Sequence, residues 1–231
     1  LLHLDHIPAI DEDQKNVDFL PLLKHALEAG YQSVMIDGSR LPLAQNIAVT
    51  QQAAELAAKY GSAVEAELGA VAGHEGAGIG LSYEELFTSK KGFTKTEEAA
   101  QFARESGCDW LSVAAGSFHG AIAAATKHLK KPEARLDIAH IAELSAATGH
   151  MPLVLHGGSG IKQEYILRAM ENGIAKINVA TEIRQPYEFA LEEKPGNITY
   201  AQQKVYDRTR WVLHDFLHTT NNHDTLKGDS K

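Results

Sequence analysis

The chain has 231 residues, 44% of them hydrophobic, which is enough for one domain with a sizeable core. Its formal charge of -8 excludes the basic face that a nucleic-acid partner requires, and its single cysteine, Cys108, excludes an internal disulfide framework. No stretch is apolar for long enough to span a bilayer, so a cytoplasmic protein with no membrane partner is expected.

Taken in chain order, short β-rich apolar runs alternate with helix-length segments. Leu1 to Leu4 reads as a strand with no preceding leader or helix, and the expectation is a chain truncated ahead of it. Further strands are predicted over Ser33 to Ile36, Ala63 to Leu68, Trp110 to Ala114, Leu153 to Leu155 and Ala175 to Val179. Helical patterns cover Asn16 to Ala29, Leu43 to Tyr60, Thr96 to Ser106 and Lys162 to Asn172, each closed by a glycine (Gly30, Gly61, Gly107, Gly173). An amphipathic segment over about 200–217 reads as a last helix. Gly69 to Lys95 and Ala115 to Arg135 are long connections, the first a candidate lid. Residues 1–218 are expected to form the domain, and 219–231 a flexible polar tail.

Repeated βα units with buried strands imply an α/β fold with a parallel sheet, either doubly wound or a (β/α)8 barrel. Polar residues follow the strands all along the chain instead of gathering at one switch point, which favours the TIM barrel. Six units then leave the first two βα units absent, about 30 residues each.

The strand ends carry, in order, Asp5 and His6, Asp37, Glu67, His119, His156 and Asn178. Three imidazoles with carboxylates nearby suit Zn2+, which takes neutral histidine nitrogen and carboxylate oxygen. With twelve histidines in the chain, one strand-end histidine means little; the coincidence of three carries the argument. His156-Gly157-Gly158-Ser159-Gly160 leaves a strand and enters a helix, so it is either an anion cradle of backbone N–H groups or a plain tight turn. Asn178-Val179-Ala180-Thr181 on the next strand supports the anion, because the loops after a barrel's last strands customarily hold phosphate. Alternation puts Glu65 and Glu67 on one face, and Lys176, Asn178 and Ala180 on one face of theirs. Lys176 is open to two roles, a Schiff-base amine or a structural cation paired with Glu65, and the pairing is the stronger expectation.

Six co-linear motifs, HLDH (His3 to His6), SVMIDGS (Ser33 to Ser39), VEAELG (Val64 to Gly69), GSFHG (Gly116 to Gly120), PLVLHGGSGI (Pro152 to Ile161) and KINVATE (Lys176 to Glu182), resemble the class II fructose-bisphosphate and tagatose-bisphosphate aldolases. The resemblance implies a barrel starting at the family's third strand and zinc-dependent cleavage of a ketose 1,6-bisphosphate to dihydroxyacetone phosphate and an aldehyde. It makes His6, His119 and His156 the zinc ligands, with Asp37 and Glu67 holding an alternative, second divalent position; a monovalent cation is a further expectation. Asp5 matches the group that exchanges a proton with the C4 oxygen, and Glu75 the lid acid that moves the hydroxymethyl proton. Gly120, Gly157, Gly158 and Ser159, with Asn178, Val179, Ala180 and Thr181, match positions that bind the phosphorylated sugar. A homodimer or homotetramer is implied.

Departures at Ile7, His74 and Phe118 bear on substrate identity, and Ala180, where one fructose-bisphosphate branch has Asp, points to the tagatose-type and general ketose-bisphosphate branch. Four alternatives stand beside this: an aldolase for a different phosphorylated ketose; a metal-dependent hydrolase, against which the lack of an HxH pair speaks; a Schiff-base aldolase using Lys176; and a metal- and phosphosugar-binding paralogue without turnover.

Overall fold

The computed structural model describes residues 1–69, 83–117 and 134–220. Six strands alternate with helices: β1 (His3–Pro8), α1 (Phe19–Glu28), β2 (Ser33–Asp37), α2 (Leu43–Ala58), β3 (Ala63–Leu68), α3 (Tyr83–Ser89), α4 (Thr96–Glu105), β4 (Trp110–Val113), α5 (Ile138–Ala147), β5 (Leu153–Leu155), α6 (Gln163–Glu171), β6 (Ile174–Ile177), α7 (Thr181–Glu193) and α8 (Ile198–Trp211). A π-helical turn, Val212–Phe216, continues α8.

Every strand pair is parallel and the order is β1-β2-β3-β4-β5-β6, so the chain winds in one direction with no switch point. The sheet also curls: the Asn178 amide, just past β6, donates to the Asp5 carboxylate on β1 at 3.0 Å. A flat sheet would hold its first and last strands tens of ångströms apart, at about 4.8 Å per strand. The architecture is therefore that of a partial (β/α)8 barrel.

Strand alternation sorts the side chains into two layers. Val34 and Ile36 of β2, Val64, Ala66 and Leu68 of β3, Leu111 and Val113 of β4, and Leu153 and Leu155 of β5 pack outward against Leu23, Ala53, Phe102, Ile141 and Ile166 of the helices. The alternate positions, Met35, Glu65, Ser112 and Val154, face the lumen, and all four are buried. The carboxylates of Glu65 and Glu67, both buried on β3, are costly there unless paired, and their partners make the site.

The glycines predicted to stop helices do so with left-handed backbones, for example Gly30 at φ 92° after α1 and Gly173 at φ 114° after α6. Three helices lay outside the predicted patterns. α3 falls in one long connection, α5 follows the other, and α7 begins at Thr181, so β6 stops at Ile177 instead of reaching Val179. Strand β1 runs on to Pro8, past the predicted end at Leu4.

Candidate active site

Consecutive residues of a regular strand point to opposite faces, so Asp5 and His6 could not both serve one site on an unbroken β1. The ladder between β1 and β2 is broken here. Leu4 pairs with Val34 and Ile7 with Ile36, three steps on one strand against two on the other, which is a bulge of one residue. His6 takes up the extra residue at φ 55°, and its N–H turns to the Met35 sulfur at 3.4 Å. Both side chains are thereby delivered to the strand's C-terminal end, Asp5 beside His6 at 3.8 Å.

The other strand ends converge on this pair. The ring of His156, wholly buried after β5, meets the His6 ring edge-on with centroids 4.6 Å apart. Donor atoms of Asp5, His6 and His156 lie within 4.8 Å of one another, and so do those of His6, Asp37 and Glu67. Two imidazoles and carboxylates on three strands form a donor set that fits a borderline divalent ion, and shared His6 lets the two groups serve as neighbouring positions for it. Asp37 is held ready by its own turn, since one of its oxygens accepts from the Ser39 N–H at 2.9 Å and the Ser39 hydroxyl at 2.6 Å. Glu67 is fixed through the chain, because the buried Asn46 amide of α2 donates to its carbonyl at 2.9 Å. His119 and Gly120, and the lid acid Glu75, lie outside the described residues, as do His74 and Phe118 and residues 221–231 of the expected tail.

Beneath the donors is a hub that motif spacing did not single out as functional. Glu65, fully buried on β3, accepts from His156 Nε2 at 2.8 Å and from Lys176 Nζ at 2.8 Å, and His3 Nε2 approaches it at 3.4 Å. The Lys176–Glu65 pairing expected from strand alternation is thus present. With Nε2–H committed to Glu65, His156 presents Nδ1 to the site, 3.2 Å from Glu67. Burial alone would lower the His156 pKa, but the carboxylates of Glu65 at Nε2 and Glu67 at Nδ1 outweigh it and push it up to about 9, so Nδ1 carries a proton that a cation would have to displace. Burial likewise raises Asp5 and Glu65. For Asp5 the His3 hydrogen bond and the charges of His6, His156 and Lys176 prevail and hold it well below the usual carboxylate range; for Glu65, His156 and Lys176 lower it in the same way. Both carboxylates are therefore ionised at neutral pH.

The glycine loop follows His156 at the end of β5. The Gly158 N–H donates to the Asn178 carbonyl at 3.0 Å, tying the loop to the end of β6. A Cβ on Gly158 would sit 2.6 Å from Ile177 Cγ2 and 3.0 Å from that carbonyl, so only glycine allows this approach. Gly157, at φ 71°, turns the chain away from His156, and the Ser159 hydroxyl accepts from the Glu182 N–H at 3.2 Å, at the start of α7. Loop and helix N-terminus together give a region of positive backbone dipole between β5 and β6. Val179, Ala180 and Thr181 form the turn into α7, with Ala180 at its N-cap. Asn178, expected among the sugar-binding residues, spends its side-chain amide on both Asp5 oxygens, at 3.2 and 3.0 Å.

Comparison with solved structures matches this arrangement. The YdjI aldolase of Escherichia coli K12 is 28% identical with a TM-score of 0.69, over 93% of this chain and 68% of that one. Two more share the fold: a putative fructose-1,6-bisphosphate aldolase from Coccidioides immitis (24% identity, TM-score 0.73, 97% and 73% covered) and the fructose-bisphosphate aldolase of Campylobacter jejuni (18%, 0.67, 94% and 70%). The family model for class II fructose-bisphosphate aldolase matches residues 1–222, nearly the whole length. With its bulged first strand, buried histidine and glycine loop in one barrel mouth, the chain belongs to the class II fructose-bisphosphate aldolase family and is an aldolase, a carbon–carbon lyase.

Proposed function

We propose that the chain catalyses zinc-dependent, reversible aldol cleavage of a phosphorylated ketose to dihydroxyacetone phosphate and an aldehyde. The observation that carries this is the convergence of Asp5, His6 and His156 donors within 4.8 Å, beside a glycine loop and helix N-terminus suited to phosphate. His6 and His156, with His119, are the ligands, and Asp37 and Glu67 the alternative position. A divalent cation there supplies Lewis-acid polarisation of the ketone carbonyl.

The chain's own residues do the rest. Gly157, Gly158 and Ser159, Gly120, and Asn178 to Thr181 bind the phosphate end and fix the carbonyl over the ligands. Asp5, ionised and oriented by Asn178, accepts the C4 hydroxyl proton as the C3–C4 bond breaks, and returns it in the condensation direction. Glu75 moves the hydroxymethyl proton. Lys176 is unsuited to a Schiff base because its Nζ is engaged by the buried Glu65 carboxylate at 2.8 Å.

Association into a homodimer or homotetramer is supported by the apolar side chains that α7 and α8 leave exposed, Phe189 and Tyr206 among them. Among the described residues no helix is long and apolar enough to cross a membrane, and a cytoplasmic location accords with that. The test is release of dihydroxyacetone phosphate from fructose and tagatose 1,6-bisphosphates, the substrates the family implies, with chelator and then with zinc restored. Loss with chelator and recovery with zinc is the expected result. Metal-bound protein without turnover on any phosphorylated ketose would leave a binding paralogue instead.

A further inference from the structure

A cavity of about 540 Å³ opens beside the ligand cluster, at the ends of β1 and β2. His6 and Asp37 form its inner wall, Arg40 one flank, and Asp11, Glu12 and Asp13 its outer rim. Because His6 and Asp37 belong both to the cavity wall and to the ligand cluster, a ketose whose carbonyl lies at His6 has this cavity within reach of its remaining carbons.

The loop that builds the rim is fixed. Ala9 N–H donates to the Asp37 carbonyl at 2.8 Å, Ile10 and Asn16 form an antiparallel bridge, and the Asp11 carboxylate accepts from the Lys15 N–H at 2.8 Å. The two cations nearby are committed to the same loop. Arg40 Nη1 donates to the Asp11 carbonyl at 2.5 Å, and Lys15 Nζ lies 3.4 Å from the Asp13 carboxylate. Leaving aside Asp37, which belongs to the ligand set, three carboxylates against two cations give a formal balance of -1. From these five side chains a phosphate dianion gains no surplus positive charge. A chain of hydroxyls, in contrast, finds carboxylate acceptors on the rim and apolar contact with Pro8 and Ile10.

We infer that this cavity receives the aldehyde half of the substrate as an unphosphorylated polyhydroxy chain, so that the ketose carries its phosphate only at the dihydroxyacetone end. The inference rests on the proposed aldol chemistry and narrows it from the bisphosphate that the sequence motifs imply.

The test runs in the condensation direction on the metal-loaded protein. Tritium release from the hydroxymethyl carbon of dihydroxyacetone phosphate, without any aldehyde, is measured first; it needs the metal and phosphate positions but not the cavity. Its absence sinks the aldol chemistry, and this inference with it. With release present, kcat/KM is compared for glyceraldehyde 3-phosphate, glyceraldehyde and a four-carbon aldose. The expected result is a ratio above one in favour of the unphosphorylated aldehydes. In the D11N/E12Q/D13N variant that ratio falls about tenfold, by removal of like charges within a Debye length of the phosphate. A ratio of one or below in the wild type overturns the inference. So does an Arg40→Gln variant that selectively loses glyceraldehyde 3-phosphate, because Arg40 would then be holding a phosphate.

Discussion

Replacing Glu65 with Gln probes the hub under the ligands. The substitution preserves volume and leaves an oxygen for His156 Nε2, but removes the charge that faces His156 and Lys176, each at 2.8 Å. Loss of a carboxylate that orients a metal-ligating imidazole weakens metal binding about 10–100-fold, which is roughly 1.4–2.7 kcal/mol. Folding stability of the metal-free chain falls less than for a fully buried pair. Lys176 is 27% exposed and keeps Asp5 at 3.8 Å, so about 1–3 kcal/mol is expected. The assay is competition for zinc with a chromogenic chelator, run beside His156→Ala as the reference for loss of a ligand, with urea unfolding of both metal-free proteins. If E65Q holds zinc within twofold of wild type while H156A releases it, Glu65 does not orient the imidazole and the argument from the hub fails.

Gly158→Ala should strain the glycine loop against Ile177 and the Asn178 carbonyl, costing about 1–3 kcal/mol of stability; a raised KM for the phosphorylated ketose with a smaller change in kcat would trace the strain to phosphate binding. Asp137 caps α5 by accepting from the His140 N–H at 3.0 Å and pairs with Lys90 at 2.8 Å, so Asp137→Ala should cost about 1 kcal/mol in urea unfolding at pH 7. Burial raises its carboxyl, yet Lys90 and the His140 N–H lower it below its ordinary value. Its contribution is therefore complete above the unfolded value, about pH 4, and is lost as pH falls through the lower folded value, so wild type and variant should converge in stability on acidification. Burial pushes the Cys108 thiol up to about 11; a disulfide reagent at pH 8 should label the native protein about 10²-fold more slowly than the protein in denaturant, and equal rates would contradict the packing around α4 and β4.

The layers of the barrel were legible because burial on both strand faces leaves a strong apolar signal, and β3 and β5 begin and end where periodicity puts them. The Glu65–Lys176 pair was legible for the same reason: alternation assigns both residues to the lumen. Helix α7 escaped because Pro186 and its polar residues break the apolar period, and its fold depends instead on packing against α8. The contacts of Glu65 and His3 with the candidate donors could not be read locally. Glu65 lies 91 residues from His156 and 111 from Lys176, and only the curl of the sheet joins them. The cavity rim was hidden too, since the Ile10–Asn16 bridge closes a loop whose composition reads as solvated charge.

The bulge at His6 has a consequence for transplanting this chemistry. Copying the ligand identities onto an ideal barrel strand would bury either the Asp5 or the His6 counterpart in the apolar layer under the helices, because a two-residue period cannot aim neighbours the same way. A designer must therefore carry over a defect, one unpaired residue and its left-handed backbone, along with the side chains. An alignment that scores residue types alone would accept a sequence with this extra residue deleted, although the deletion would restore the ladder and turn the Asp5 and His6 side chains to opposite faces.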